Sequence, residues 1–291
     1  MDKVRHNKGA AIILLLPAII LFVSIIIIPI ICSGYYSLTE WDGIRDKVFI
    51  GFSNYRELFE GEVLRGSIKN MLLLALCAVG IQLPLALVFA ILISGGIKGE
   101  KMYMTVFFIP VMLSTVVIGQ LWLKIYNPSH GLLNGILSMI GLENYADSWL
   151  GNQGKVLAAV FVPMIWQYVG YHMLLMYAGI KSINSEIIEA AKIDGANGFQ
   201  IACRITIPML MPVLEVCTIF AVTGAFKSFD LIYILTGGGP AHASEVPSTL
   251  MFTEIFQKNH YGVGSAIAIF IILICFTSAI IIKRIFKRWE V

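Results

Sequence analysis

Long apolar runs dominate the chain, broken by short polar segments. Six runs, at about 10–32, 68–94, 102–123, 156–180, 205–226 and 264–283, approach or exceed the ~20 residues a helix needs to cross the hydrocarbon core. They predict an all-α membrane protein with six transmembrane helices, organised as one membrane domain over residues 1–291. Little chain is left for a soluble domain. The polar segment that stands out runs from Glu189 to Pro212, between the fourth and fifth runs.

Composition agrees. The 291 residues are 58% hydrophobic and 13% charged, with a mean hydropathy of +0.82, far from soluble proteins. The amino terminus carries Lys3, Arg5 and Lys8 before an apolar run, as a secretory signal does. That run is about twice a normal signal core and no small-residue cleavage pattern follows, so a retained first helix is expected, with bends possible at Pro17 or Pro29.

Basic residues orient the chain. With both termini inside, Lys98, Lys101, Lys181, Lys192, Arg204, Lys283, Arg284, Lys287 and Arg288 join the amino-terminal cations on the cytoplasmic side. The short loops at 95–101 and 181–204 hold several of them. The net charge of +3 is this inside bias. Membrane lipid is therefore the expected surrounding, and nothing supports a nucleic-acid partner. Five cysteines (Cys32, Cys77, Cys203, Cys217, Cys275) form no metal or redox spacing and are read as small apolar packing residues.

The outer loops are uneven. Residues 33–67 alternate Phe49, Ile50, Phe52, Tyr55, Leu58 and Phe59 with charges, which suits an interfacial helix or one packed on the helix ends. In 124–155, Leu132, Leu133, Ile136 and Leu137 predict a short surface helix. In 227–263, Thr236-Gly237-Gly238-Gly239-Pro240 must be irregular backbone. The triple glycine is no phosphate cradle, because a nucleotide loop needs GxxxxGK[ST] opening a helix after a strand. The chain is thus not expected to hydrolyse ATP alone, and no metal, nucleophile or calcium motif is present.

Residues 182–212 read as two short helices. Asn184 or Ser185 can cap the first, Glu186 favours its positive end, and Glu189 and Lys192 are spaced to pair. Gly195 is a natural terminator, after which Gly198-Phe199 opens a second helix and Pro208 and Pro212 follow. A rigid hairpin beside a transmembrane helix can seat in a groove of a partner or lie on the bilayer; the physics alone leaves both open.

Here the residues carry a resemblance. Glu189-Ala190-Ala191, Asp194-Gly195-Ala196 and then Ile205-Thr206-x-Pro208 resemble the EAA loop of permease subunits in binding-protein-dependent ABC importers, of the carbohydrate-uptake type. Gly51-Phe52-Ser53-Asn54-Tyr55, Asn127-Pro128 with Gly131-Leu132-Leu133-Asn134, and Phe229-Asp230-Leu231-Ile232-Tyr233 agree, in the expected order over nearly the whole chain. The aromatic that the family often carries near Ala202 or Cys203 is absent. The resemblance implies a type I ABC importer permease with a cytoplasmic coupling loop over 181–204, in a bacterial inner membrane. It implies a second permease, two ATP-binding subunits that hold ATP and Mg, and an extracytoplasmic solute-binding protein that delivers a sugar; this chain itself binds no cofactor. The coupling residues would be Glu189, Ala190, Ala191, Asp194, Gly195 and Ala196.

A path for a sugar calls for aromatic faces beside hydroxyl-matching polar groups inside the spans. The fourth run offers Trp166, Gln167, Tyr171 and Tyr177, with Trp166, Gly170, Met173 and Tyr177 at spacings that share a face. Glu215 is an acid within the fifth run, free to meet sugar hydroxyls or His172. Lys227 and Asp230, at the outer end, can pair or face the binding protein. The rival class is an ion-coupled secondary transporter of a small polar solute, but such proteins need several buried carboxylates or broken helices, and here Glu215 and His172 stand alone.

Overall fold

The computed structural model describes residues 8–288. Lys3 and Arg5 lie outside the described residues. The elements are helices apart from one short strand pair, and their contacts form two compact units.

The first unit runs to Gly61 and adds Met251–Phe270. Helix α1 (Lys8–Phe22) contains Pro17 and continues through a widened π turn at Val23–Ile27 into α2 (Ile28–Tyr36). Pro29, at the start of α2, has no N–H to give, which accounts for the irregularity just before it. Strands β1 (Thr39–Glu40) and β2 (Val48–Phe49) pair antiparallel, a hairpin the loop's amphipathic pattern did not announce, and α3 (Ser53–Glu60) follows. Asn54 fixes this turn by donating to the carbonyls of Ser37 at 2.8 Å and Thr39 at 2.9 Å. Trp41 stacks between Tyr36 and Tyr261, with centroids 4.8 and 5.3 Å away.

The second unit, Glu62–Leu250 with the segment from Ile271 onward, holds most of the spans. Helix α4 (Glu62–Cys77) runs through a π turn at Ala78–Gln82 into α5 (Leu83–Ser94), together 33 residues long. The helix begins before residue 68 because Glu62 at its amino end suits the dipole, although it is not apolar. Next come α6 (Glu100–Met112), α7 (Thr115–Ile125), α8 (Leu132–Met139) and α9 (Val156–Lys181). Helix α8 is the surface helix the leucine spacing predicts.

Two expected spans are bent. The run at 102–123 turns by 96° between α6 and α7, where Leu113 and Ser114 take extended backbone and the Ser114 carbonyl starts the new helix by accepting from Ile118. The run at 205–226 turns by 71° between α12 (Ile207–Met209) and α13 (Met211–Phe226). There Pro212 has no N–H for the Pro208 carbonyl, so the ladder cannot continue. Among the described residues four helices are thus long and apolar enough to cross a membrane, and six if each bent pair counts as one crossing.

The loop after α13 is more regular than its glycines suggest. Helices α14 (Asp230–Thr236) and α15 (Pro247–Phe252) flank a turn in which Gly237 and Gly238 have positive φ. Buried Asn70 holds that turn, donating to the carbonyls of Ala243 and Glu245. Helix α16 (Tyr261–Phe286) completes the chain's described elements.

Two apolar clusters make the core of the second unit. One centres on Met71, Ile118 and Ile232, the other on Ala86, Ala90, Met173 and Met176. In the second, α9 meets α6 so closely that a Cβ on Gly170 would overlap the Phe107 backbone carbonyl. A glycine there lets two helices touch through their backbones.

Candidate functional site

Two regions carry the candidate chemistry. The first follows α9. Asn184 caps α10 (Ser185–Ile193) by accepting the Glu186 N–H at 3.1 Å. Gly195, at φ +84°, ends that helix: its N–H returns to the Lys192 carbonyl, and Ala196 N–H to that of Ala191. Asn197 and Gln200 then form a reciprocal capping box around α11 (Gly198–Ile201), with bonds of 2.9 and 2.8 Å. The local design is therefore self-contained.

What this hairpin lacks is cover. No residue of α10 is buried. Glu189, Ala190, Asp194 and Gly195 are exposed, and Ala191 and Ala196 half-buried. Two large apolar side chains stand out in the open, Ile193 at 86% and Phe199 at 79% exposure. Glu189 and Lys192 do not form the expected ion pair; both point into the open, where such a pair gains little over hydration.

The second region is a cavity of about 420 Å³ within the second unit. Its wall joins the α4–α5 π turn, the α6–α7 bend, the middle of α9 and the carboxy-terminal half of α13. Two polar atoms on that wall are buried without a partner. Gln167 is 2% exposed and its Oε1 has no hydrogen-bond partner; His172 is 3% exposed and its Nδ1 has none either. Buried polar groups are almost always paired, so two unpartnered atoms on residues of one cavity wall single this wall out as a candidate site. Around them lie Tyr168, Tyr171 and Phe220, faces on which an apolar ring surface can rest.

The sequence-predicted residues divide. Gln167, Tyr171, Lys227 and Asp230 line the cavity. Lys227 and Asp230 are exposed and form no ion pair with each other. Trp166 does not reach it: the ring is 37% exposed and lies edge-on to Trp122 at 6.0 Å. Tyr177 is also off the wall, five residues and ~8 Å of helix beyond His172, the last residue of α9 that lines it. Its hydroxyl bonds Glu100 instead. Glu215 is half-buried and off the cavity wall, in the second turn after the Leu210 bend, and makes no contact with His172.

Gln82, which the aromatic and polar pattern of the fourth run does not reach, is a buried amide on the cavity wall. A single amide in an apolar run, one residue ahead of Leu83-Pro84, was the available signal. Among the described residues no cluster of His, Cys, Asp and Glu could hold a metal ion.

The comparisons with known proteins fit this geometry. The family described as binding-protein-dependent transport system inner membrane component matches residues 66–291. The chain is 37% identical over 287 residues to the probable ABC transporter permease protein YurN of Bacillus subtilis (strain 168), covering 98% of each chain. It is 32% identical over 291 residues to the trehalose/maltose transport system permease protein MalF of Thermococcus litoralis, covering 99% of this chain and 98% of that protein. Its fold matches a chain in the crystal structure of a bacterial ABC transporter involved in the import of the acidic polysaccharide alginate. That match has a TM-score of 0.85 at 24% identity and covers 99% and 98% of the two chains. The bent spans, the capped hairpin after α9 and these relatives agree: the chain belongs to the inner-membrane components of binding-protein-dependent transport systems, as a multi-pass ABC permease subunit.

Proposed function

We propose that this chain forms the path for a sugar or oligosaccharide through the membrane, as a single six-crossing permease domain over residues 1–291 paired with a second permease. Two ATP-binding subunits sit against the cytoplasmic side, and an extracytoplasmic binding protein delivers the solute from the other. Both termini are cytoplasmic. No cofactor resides on this chain; ATP and Mg belong to the ATP-binding subunits.

The observation that carries this reading is the exposed hairpin. A surface that satisfies its own backbone yet leaves Ile193 and Phe199 open has the apolar centre and charged rim of a protein interface. We assign Glu189, Ala190, Ala191, Asp194, Gly195 and Ala196 to contact with an ATP-binding subunit. Closure of the two ATP-binding subunits would then swing the permeases between inward- and outward-facing states.

Sugar as the solute rests on the cavity and on relatives named for sugar transport. Gln167 and His172 offer hydroxyl partners while Tyr168, Tyr171 and Phe220 offer faces, and the spans lack the arginine cluster an anionic solute would need. The test is the reconstituted complex with its binding protein, assayed for ATP hydrolysis against a panel of sugars. Stimulation by one member is expected. Uptake that collapses with a protonophore at constant ATP would sink the proposal.

A further inference from the structure

Glu100 joins the ends of three helices. As the first residue of α6 it accepts a hydrogen bond from the Tyr177 hydroxyl, and its Oε1 lies 3.3 Å from Lys181 Nζ. The same ammonium donates at 3.2 Å to the carbonyl of Ser94, the last residue of α5. That carbonyl has no acceptor role left inside its own helix, so the lysine fills an orphan site. Tyr177 and Lys181 are one turn apart at the end of α9, with the ammonium 5.4 Å from the tyrosine ring centroid.

The position matters more than the strength. Lys181 is 44% exposed and Glu100 23%, and ion pairs this open add little to stability. Yet only Ser182, Ile183 and Asn184 separate Lys181 from α10, a tether of at most ~14 Å between Lys181 and Ser185. A force on α10 therefore reaches Lys181 first. Packing farther along α9, through Gly170 against α6 and through Met173 and Met176 against Ala86 and Ala90 of α5, also joins the three helices; the cluster joins them at the ends nearest α10.

We infer that Glu100 is a positioning residue for energy coupling. With Tyr177 and Lys181 it fastens α5 and α6 to the root of α10, so that the three spans answer a displacement of α10 as one body. This rests on the contact proposed above between the hairpin and an ATP-binding subunit.

The complete importer tests it without a transported solute. Spin labels at Ile97→Cys, in the α5–α6 loop, and Ser182→Cys, on a background lacking the native cysteines, report the distance across the cluster. Measurements compare the nucleotide-free and the ATP–vanadate-trapped states. In the otherwise wild-type chain the distance should hold between the two states. In Glu100→Gln and Tyr177→Phe it should shift or broaden on trapping by more than the ~1–2 Å of an ordinary interface adjustment. Lys181→Arg, which keeps both the charge beside Glu100 and a donor for the Ser94 carbonyl, should hold the single distance, and Lys181→Met, which keeps neither, should not. A wild-type distance that changes on trapping, or a Glu100→Gln distance that does not, would overturn the clamp alone. A Gly195→Asp complex that keeps its ATP-binding subunits and traps vanadate normally would overturn the contact reading, and the clamp with it.

Discussion

The hairpin at 184–201 and the cavity beside Gln167 are built on opposite terms. The hairpin satisfies every demand of its backbone locally, through Asn184, Gly195 and the Asn197–Gln200 box, and leaves its side chains open. The cavity is walled by long helices, opens where the exposed Lys227 and Asp230 line it, and has buried polar atoms left unpaired in its wall. An element that stands alone and exposes apolar groups suits a protein partner. A wall that encloses unpaired amide and imidazole atoms suits a small polar solute, which supplies what the wall lacks.

Substitutions can break this contrast, and the largest effect belongs at Gly195. A Cβ there meets nothing within 4 Å in this chain, so Gly195→Asp is burdened internally only by its backbone, at φ +84°. That conformation costs about 1–2 kcal/mol for an L residue, and asparagine tolerates it best. If a partner backbone approaches, Gly195→Asp and Gly195→Asn should both lower sugar-stimulated ATP hydrolysis by more than about tenfold, beyond what 1.4 kcal/mol of strain explains. Normal stimulation in Gly195→Asn would reduce the glycine to a helix terminator.

Gln167→Leu reverses the logic. Removing an orphan amide from an enclosed wall should leave stability unchanged or raise it, because a buried unsatisfied group costs about 1–3 kcal/mol. The same change should raise the KM for uptake by about tenfold, the value of one hydrogen bond to a charged or well-placed partner. A stability loss with unchanged KM would make Gln167 a structural residue.

Gly170→Ala tests how the cavity is held. Its Cβ overlaps the Phe107 carbonyl, so α9 and α6 must separate, at about 1–3 kcal/mol for overpacking. Thermal unfolding of the detergent-solubilised protein should fall accordingly. Smaller again is Asn184→Ala, which removes a cap worth about 1 kcal/mol and should fray α10 in hydrogen exchange while leaving the cavity's protection intact. Trp166→Ala closes the series: with the ring on Trp122 and off the wall, uptake KM should stay within about twofold of wild type. A large KM change would return Trp166 to the path.

The hairpin was legible in the sequence almost residue by residue, because caps and glycine terminators act over three or four positions. Asn184, Gly195 and Gly198 do what their neighbours in sequence require of them. The cavity was legible only in part. Helical periodicity put Gln167, Tyr171, Trp166 and Tyr177 on inward faces, but it does not say what each face meets. It could not tell that Tyr177 meets Glu100 or that Trp166 lies against Trp122.

The bends in the third and fifth spans divide in the same way. Pro208 and Pro212 mark the second bend, since a missing N–H breaks the ladder wherever it falls. Nothing in Leu113-Ser114 demands the 96° turn of the first, which depends on how α7 packs against α14 and on Gly119 beneath Ile234.

Alone, then, the sequence determined the helical membrane class, the stop and start signals of the hairpin, and the family. These follow from hydrophobic run length and from hydrogen bonds between near neighbours, both local quantities. The tertiary structure decided which polar atoms are left without partners, which aromatic rings reach the cavity, and that Glu100 meets Tyr177 and Lys181 across 77 and 81 positions of chain. Those depend on where separate helices cross, and a crossing is set by packing that no single stretch of sequence contains.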